Sequence, residues 1–458
     1  MKYLFFTATV ICTLPAMVLL MSSRRFIRWA ALGMFLPLAA FNQTAINFFS
    51  HEKYRGSARG MEVSLVYIMA LTLVLVFVVL HGRRKLLPDA GSRIYLVYFL
   101  FNLPSLINAP NMLYSFFEIW KMIMMYVVFL AVYYYMEFSD GDIDAVLYGL
   151  VTLVVLNFLS ILAEHFFYGK YQVRGLFPHQ NSMAMFMSVT GLILLARYLN
   201  VPDRHAVKVF FPGFLLASFA VVRSYSRGAI FCYPIGALLT LLCSMGWGLS
   251  MRKLRKLSLI FLLGAIGLGF FAPRIVKRFL TAPEASGNTR RDFAVAAFNM
   301  IRDKPFIGVG LNNWGVTINP PYTYSKHRDW DRGLNDEHAD GIVETIYLLV
   351  CAECGIPCLL LLLLWFAYYW FSSIRLMRKL RGTNYYFFPA GTLGALTAVY
   401  MQSVLEWVLK QQMNLILLVT VFAILSFLNR HYGVLVETGR AVMPENEPEP
   451  SPVASGDW

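Results

Sequence analysis

The amino-acid sequence contains little charge for its length. Charged residues are 14% of the 458 residues and hydrophobic residues are 58%, whereas a soluble domain carries about 25% charged residues. Apolar runs of roughly 17–25 residues, the length that crosses a bilayer, recur along almost the whole chain. The shortage of charge therefore excludes a soluble globular protein and predicts an all-α, polytopic membrane protein.

The sequence also lacks the short motifs of several enzyme classes. It contains no Walker loop, no Rossmann fingerprint and no Gly-x-Ser-x-Gly. Cys351, Cys354 and Cys358 stand at helical spacing in an apolar run, but a structural metal site commonly needs four ligands, and no second pair is present. We interpret these thiols as packing residues, and the sequence predicts neither a metal site nor a cofactor. No internal repeat indicates a transporter built from two matching halves.

The charge that is present is mostly positive. The formal net charge is +14, which in a membrane protein usually marks cytoplasmic loops and anionic lipid, so we do not expect nucleic-acid binding. Basic residues cluster at Arg83–Lys85, Arg252–Lys256 and Arg375–Arg381. If all three clusters are cytoplasmic, an even number of spans must separate each pair, and the apolar runs satisfy that condition.

The apolar runs predict a helical bundle of about 12–13 transmembrane helices. The expected spans lie near residues 3–20, 28–48, 61–80, 94–109, 112–136, 143–163, 181–199, 209–223, 229–249, 257–273, 342–371, 387–406 and 412–429. The side of the N-terminus stays open, because the arginines of the first segment follow its apolar run.

Four regions follow from this topology. Membrane helices with short loops occupy 1–273, a large outer loop occupies 274–341, and further membrane helices occupy 342–430. The outer loop is the only sizeable segment expected outside the membrane, and loops of that length are usually functional or disordered. Residues 431–458 are expected to form a largely disordered cytoplasmic tail, because the segment from Pro444 is rich in Pro and Glu.

Polar residues cluster at the outer ends of the predicted spans. The groups are Tyr171–Ser182, with Arg174, His179 and Asn181; Ser226-Arg227-Gly228; Arg290 and Arg291, followed by Pro305-Phe-Ile-Gly308-Val-Gly310 with Asn312 and Asn313; and Asp336-Glu337-His338-Ala339-Asp340, followed by Glu344 and Glu353-Cys-Gly355. Arginine is disfavoured near outer span ends, so these groups indicate a functional site.

Each group also has a structural alternative. Arg174 and Arg227 could extend to lipid headgroups, and Asn181 could cap a helix. The paired glycines could serve turns. His338, among acidic neighbours, could be a satisfied surface histidine.

Taken in order, the four groups resemble the O-antigen ligase and polymerase family. The resemblance rests on Arg-Gly-x-Phe with a following Asn, Ser-Arg-Gly, Pro-x-x-Gly-x-Gly, and a histidine ahead of a helix with Glu-x-Gly, over about residues 165–365. In one respect the chain departs from the pattern: the family often has Asn after the histidine, and here the residue is Ala339.

The resemblance implies a GT-C-like glycosyltransferase in the bacterial inner membrane with its active site facing the periplasm. The implied donor is a glycan on undecaprenyl diphosphate, and in the ligase branch the acceptor is the lipid A-core oligosaccharide of lipopolysaccharide. Neither a nucleotide sugar nor a metal is implied. Direct displacement would invert the anomeric configuration.

The physical reading of the residues gives a matching set of roles. Arginine offers a planar fork for phosphate oxygens, so Arg174, Arg227 and one of Arg290 and Arg291 are candidates for a clamp on the diphosphate. The remaining substrate-binding candidates are His179, Asn181, Asn312 and Asn313.

The acceptor hydroxyl needs a base as it attacks. His338 is the candidate, because the unperturbed pKa of histidine is about 6.5. Asp336, Glu337 or Asp340 could orient the histidine or replace it.

Two alternatives remain at this stage. An O-antigen polymerase or a protein O-oligosaccharyltransferase would share the donor and the clamp and differ only in the acceptor. A transporter of an anionic lipid would instead use charges within the spans. The candidates for that role are Glu118, Lys121, Glu344, Glu353, Glu406 and Lys410.

Overall fold

The computed structural model describes residues 46–51, 54–80, 86–246, 250–281, 284–326 and 341–441, together with positions 7, 11 and 15. In this part of the chain the protein is helical apart from one antiparallel pair of short strands, β1 (Ile46–Phe48) and β2 (Met61–Val63). The predicted all-α membrane fold is confirmed.

The helices run through the chain with short connections. In order they are α1 (Leu65–Leu80), α2 (Ala90–Asn102, extended by a 3-10 turn at Leu103–Asn108), α3 (Met112–Phe138), α4 (Ile143–Phe166), α5 (Gln180–Asn200), α6 (Phe211–Ser224, preceded by a π-helical turn at Ala206–Phe210), α7 (Arg227–Met245), α8 (Met251–Leu280), α9 (Glu284–Asp303), α10 (Trp314–Thr317), α11 (Ile346–Cys354), α12 (Ile356–Lys379), α13 (Phe387–Leu405, followed by a 3-10 turn at Val408–Lys410) and α14 (Gln412–Ala441).

Nine helices of the described residues are long and apolar enough to cross a membrane. They are α2 to α8, α12 and α14, with α2 and α6 counted together with their adjoining turns. Apart from positions 7, 11 and 15, the predicted span at 3–20 lies outside the described residues, as does most of the one at 28–48. The end of the latter is wrong, because residues 46–48 pair with β2 as a strand.

The span predicted near 342–371 is also wrong as a single helix. The chain breaks at Gly355, whose φ is 87°, and α11 and α12 lie on either side of it. A Cβ on Gly355 would collide with the backbone carbonyl of Phe306, so the close approach of a second segment requires glycine here. Apolar periodicity continues through this residue, and hydropathy alone therefore missed the break.

The helices differ sharply in how much protein surrounds them. All of the apolar window of α5 is buried (100%), whereas none of the window of α8 is (0%). α5 lies at the centre of the bundle against α6, α7 and α13, and α8 presents its apolar side chains outward. We therefore expect lipid around most of α8.

The described part of the predicted 274–341 loop is folded. α8 continues to Leu280 and α9 begins at Glu284. Phe293 and Met300 of α9 pack with Trp314 and with Leu349 of α11 in a small apolar core separate from that of the bundle. At the other end of the chain, α14 reaches Ala441, past the predicted start of the tail at 431.

A buried group of four charges joins segments distant in sequence. Lys121 Nζ lies 2.6 Å from Glu118 Oε2, and Lys410 Nζ lies 3.3 Å from Glu118 Oε1 and 3.4 Å from Glu353 Oε2. Ser57 Oγ donates to Glu118 Oε2 at 2.8 Å. Because every charge has an opposite partner, the group holds α3, α11 and the 408–410 turn together.

Lys410→Met should therefore lower the stability of the protein strongly. It leaves the two buried carboxylates with one lysine between them, and breaking a buried ion pair from one side costs about 3–5 kcal/mol. Thermal unfolding in detergent measures the effect, with Lys208→Met as the matched control because Lys208 is exposed. Equal melting temperatures for the two variants would show that this group does not stabilise the fold.

Candidate active site

The Ser-Arg-Gly motif forms a fixed corner between α6 and α7. α6 ends at Ser224 because Tyr225 adopts a left-handed conformation with φ 49°, and the Tyr225 ring stacks on Tyr171 at 4.7 Å. Ser226 then caps α7, its Oγ accepting a hydrogen bond from the Ala229 N–H at 3.3 Å. Arg227 is thus the first residue of α7, at the positive end of the helix dipole.

A cavity of about 470 Å³ opens beside this corner. The N-termini of α5 and α7 border it, together with the C-terminal end of α8 and part of α9. The segment before α11 and the segment after α13 complete its wall. Its charged lining residues are Arg227, Arg278, Arg290, Glu344 and Glu406. Three arginines and two carboxyl groups from five different segments therefore face one space.

The arginines of this cavity are incompletely paired. Arg290 Nη2 lies 3.4 Å from Glu344 Oε2. The Nε atoms of Arg278 and Arg290 are buried and have no hydrogen-bond partner within the described ranges. Burial raises the pKa of Glu344, while Arg290 and Arg227 oppose the shift. Guanidinium donors without acceptors are costly when buried, so the cavity is suited to an anion.

The structure brings two further predicted residues to this cavity. His179 and Asn181 both line it. His179, and not Asn181, is the N-cap of α5, and its Nδ1 accepts from the Asn181 N–H at 3.2 Å. The N-terminus of α5 therefore borders the cavity as that of α7 does.

Arg174 is not among the lining residues. Its side chain is 55% exposed, and its Nε lies 3.8 Å from Glu164 Oε1. Glu164 Oε2 also accepts from the backbone N–H groups of Arg174 and Gly175, both at 2.8 Å. In this conformation Glu164 anchors the 170–178 loop to α4 and holds Arg174 beside the cavity, outside its wall.

Arg290 and Arg291 are neighbours in α9, but they lie on different faces of this helix. Arg290 lines the cavity, whereas Arg291 is exposed and lies off its wall. Neighbours in a helix point about 100° apart, which explains why Arg290 lines the cavity and Arg291 does not.

Asn312 and Asn313 lie away from the cavity, with no exposed surface. Asn312 Nδ2 donates to the carbonyls of Ala58 and Tyr114 at 2.9 and 2.8 Å. Asn313 Nδ2 donates to Ser115 Oγ at 2.9 Å. These bonds tie the 305–313 segment to the rest of the fold, which favours a structural role.

The Pro-x-x-Gly-x-Gly and Glu-x-Gly motifs meet at one junction. Val309 N–H donates to Ala352 O and Gly310 N–H to Glu353 O, both at 3.0 Å. Gly308 has φ 67°, and a Cβ on it would collide with the backbone of Glu353. The glycines therefore allow two backbones to approach closely, a structural role different from the turns considered above.

The acidic and histidine group of the fourth motif lies outside the described residues. This applies to Asp336, Glu337, His338 and Asp340. In the sequence His338 stands six residues before Glu344, which lines the cavity. Its role as a base stays a prediction.

Three charged lining residues were missed as site residues by the sequence reasoning: Arg278, Glu344 and Glu406. Arg278 carried the same signal as Arg227, since both are arginines at a predicted outer span end. Glu344 was noted as following the fourth polar group, and both Glu344 and Glu406 were candidates only for the transport alternative. Within the described part of the chain, no group of three or more His, Cys, Asp or Glu is arranged to hold a metal.

Comparison with known proteins adds an independent finding. Residues 212–363 match a family model named Wzy_C and described as O-antigen ligase. The matched segment contains Arg227, Arg278, Arg290 and Glu344 and ends before Glu406. The match supports the assignment to the O-antigen ligase and polymerase family, whose members are glycosyltransferase-like enzymes. No curated relative matches the chain at a significant level.

Proposed function

We propose that this member of the O-antigen ligase and polymerase family is an O-antigen ligase, which transfers O-antigen from undecaprenyl diphosphate to lipid A-core. The observation that carries the proposal is the convergence of Arg227, Arg278 and Arg290 on one cavity at the ends of membrane helices. The proposed location is the bacterial inner membrane, with the cavity facing the periplasm.

The cavity suits the diphosphate of such a donor. Arginine binds phosphate oxygens through a planar fork, and the buried Nε donors of Arg278 and Arg290 have no acceptor among the described residues. The N-termini of α5 and α7 add the positive ends of two helix dipoles. Together these groups would stabilise the negative charge that grows on the leaving diphosphate.

The border of the cavity suits a lipid carrier. Phe231, Phe279 and Leu405 line it and are exposed. Apolar side chains that face outward in a membrane protein contact lipid tails. An isoprenoid chain could therefore lie against these residues while its diphosphate enters the cavity.

The transfer itself is a single displacement. The acceptor hydroxyl oxygen forms a bond to the anomeric carbon as the bond from that carbon to the phosphate oxygen breaks. The electron pair leaves with undecaprenyl diphosphate, and the hydroxyl proton passes to His338, with Asp336, Glu337 or Asp340 as orienting or replacement groups. This geometry inverts the anomeric configuration.

The lipid-transport alternative receives less support. Glu118, Lys121, Glu353 and Lys410 pair with one another, and Glu344 and Glu406 face the arginine cavity. The charges that a transport path would use are thus engaged elsewhere.

Purified protein in detergent should move glycan from undecaprenyl diphosphate to lipid A-core when these are the only substrates. A gel shift of the lipid A-core measures the product. Glycan that lengthens on the donor lipid, with none on lipid A-core, would point to a polymerase. Transfer only to a protein acceptor would point to an oligosaccharyltransferase, and absence of any transfer would remove the glycosyltransferase proposal.

Transfer should also proceed in EDTA, because arginines neutralise the diphosphate without a cation. The same assay with and without chelator measures this. If EDTA abolished transfer and Mg²⁺ or Mn²⁺ restored it, the arginine clamp would lose its main support.

A further inference from the structure

We infer that Glu406 is a positioning residue that fixes the Ser226–Gly228 corner and thereby sets the direction in which Arg227 enters the cavity. This inference rests on the proposed function for its catalytic meaning. Glu406 belongs to the segment after α13, 179 residues beyond Arg227 in the sequence, and lies outside the matched family segment.

The carboxyl group of Glu406 is held by two neutral donors. Ser226 Oγ donates to Oε1 at 3.0 Å, and Gln402 Nε2 donates to Oε2 at 2.8 Å. Glu406 is only 3% exposed, and no ion pair to it exists between described residues. A buried carboxyl group without a close cation is costly. We therefore expect Glu406 to have a role in the structure immediately around it.

Glu406 contacts the chain on both sides of Arg227. On one side it accepts from Ser226, whose own Oγ caps α7 through Ala229 N–H at 3.3 Å. On the other side a Cβ on Gly228 would stand 3.0 Å from Glu406 Oε1, so the carboxyl oxygen packs directly against this glycine. The backbone that carries Arg227 is therefore bracketed by one side chain.

The corner needs such support. Tyr225 holds a left-handed backbone conformation at φ 49°, which residues other than glycine adopt at a cost. Ser226 N–H donates to Ser224 Oγ at 3.1 Å. Without Glu406, the hydroxyl of Ser226 would lose its acceptor, and the backbone of the first turn of α7 would become more mobile at Arg227.

Glu406 is not needed merely to join α13 to α7. The two helices meet again further along, where Gly394 and Gly236 bring their backbones together so closely that a Cβ on Gly394 would not fit. Loss of the Glu406 contacts would therefore leave the helices packed and act on the corner alone.

A double-mutant cycle tests this inference in the intact, detergent-purified protein. Glu406→Ala should lower the transfer rate by about tenfold to a hundredfold, the size expected when a catalytic group is misplaced, with little change in melting temperature. In the Arg227→Ala background the same substitution should have no further effect, because residues that act through one another are not additive. Additive losses would overturn the inference.

Glu406→Gln separates positioning from charge. The amide oxygen of glutamine can still accept from Ser226, so this variant should recover most of the rate that Glu406→Ala loses. If Glu406→Gln lost as much of the transfer rate as Glu406→Ala, the negative charge of Glu406 would be what the rate depends on, and its hydrogen bond to Ser226 would not.

A chemical readout keeps the test independent of the proposed function. The rate at which phenylglyoxal modifies Arg227, followed by mass spectrometry, should change in Glu406→Ala while that of exposed Arg291 stays constant. If wild-type protein transfers no glycan, the proposed function fails, and this readout still decides the role of Glu406. An unchanged rate at Arg227 would overturn the inference even in an active enzyme.

Discussion

We expect Arg290→Ala to lower the rate of glycan transfer by about a hundred- to a thousandfold, the usual loss when one preorganised donor to a developing charge is removed. Arg291→Ala should leave the rate close to that of wild type, because the Arg291 side chain lies off the cavity wall. Arg291 is a matched control, since it has the same charge and is the next residue of the same helix. Initial rates with a fluorescent donor lipid measure both variants.

Arg227→Lys should also lower the transfer rate strongly, although the positive charge is kept. Lysine carries a point charge and lacks the two-pronged fork that binds phosphate oxygens. Both arginine variants should also weaken donor binding, because the proposed diphosphate is present in the ground state and in the transition state. If Arg227→Lys and Arg290→Ala both kept the wild-type rate, these arginines would serve lipid headgroups, and the site would have to lie elsewhere.

His338→Ala should lower the transfer rate by about a hundred- to ten-thousandfold, the contribution of a general base, while donor binding should stay nearly unchanged. In the proposed mechanism His338 acts on the acceptor hydroxyl and the arginines bind the diphosphate, so the two kinds of variant should differ in donor binding. Binding of the fluorescent donor lipid and single-turnover transfer measure the two quantities separately.

His205→Ala serves as the control for this variant. Its Nδ1 lies 2.6 Å from Tyr148 Oη, at the end of the bundle opposite the arginine cavity. Near-normal transfer by His338→Ala would move the base to Asp336, Glu337 or Asp340.

Much of the fold could be predicted because the hydropathy of a membrane-spanning helix is a property of a whole segment and does not depend on its contacts. Each predicted span between 94 and 273 has a corresponding helix, and the all-α class follows from the same signal. The break at Gly355 could not be predicted this way, since it depends on Phe306 approaching from a segment far away in the sequence. The same is true of strand β1, which forms only because β2 lies beside it.

The candidate site could be predicted in part for a comparable reason. Arg227 and Arg290 stood out because arginine at an outer span end is unusual. The choice between Arg290 and Arg291 required the direction of α9, which a sequence without contacts does not give. Glu406 required knowledge that the end of α13 meets the start of α7, a contact between segments 180 residues apart.

The buried group of four charges bears on the order in which the chain is inserted during synthesis. Glu118 and Lys121 are three residues apart and enter the bilayer together as a neutral pair. Glu353 enters later, and its cation, Lys410, is made 57 residues afterwards. Until then Glu353 lacks the lysine that pairs with it in the folded protein, and a buried charge without its partner is costly. The bundle therefore reaches its full set of charge pairs only after the 408–410 turn has been made.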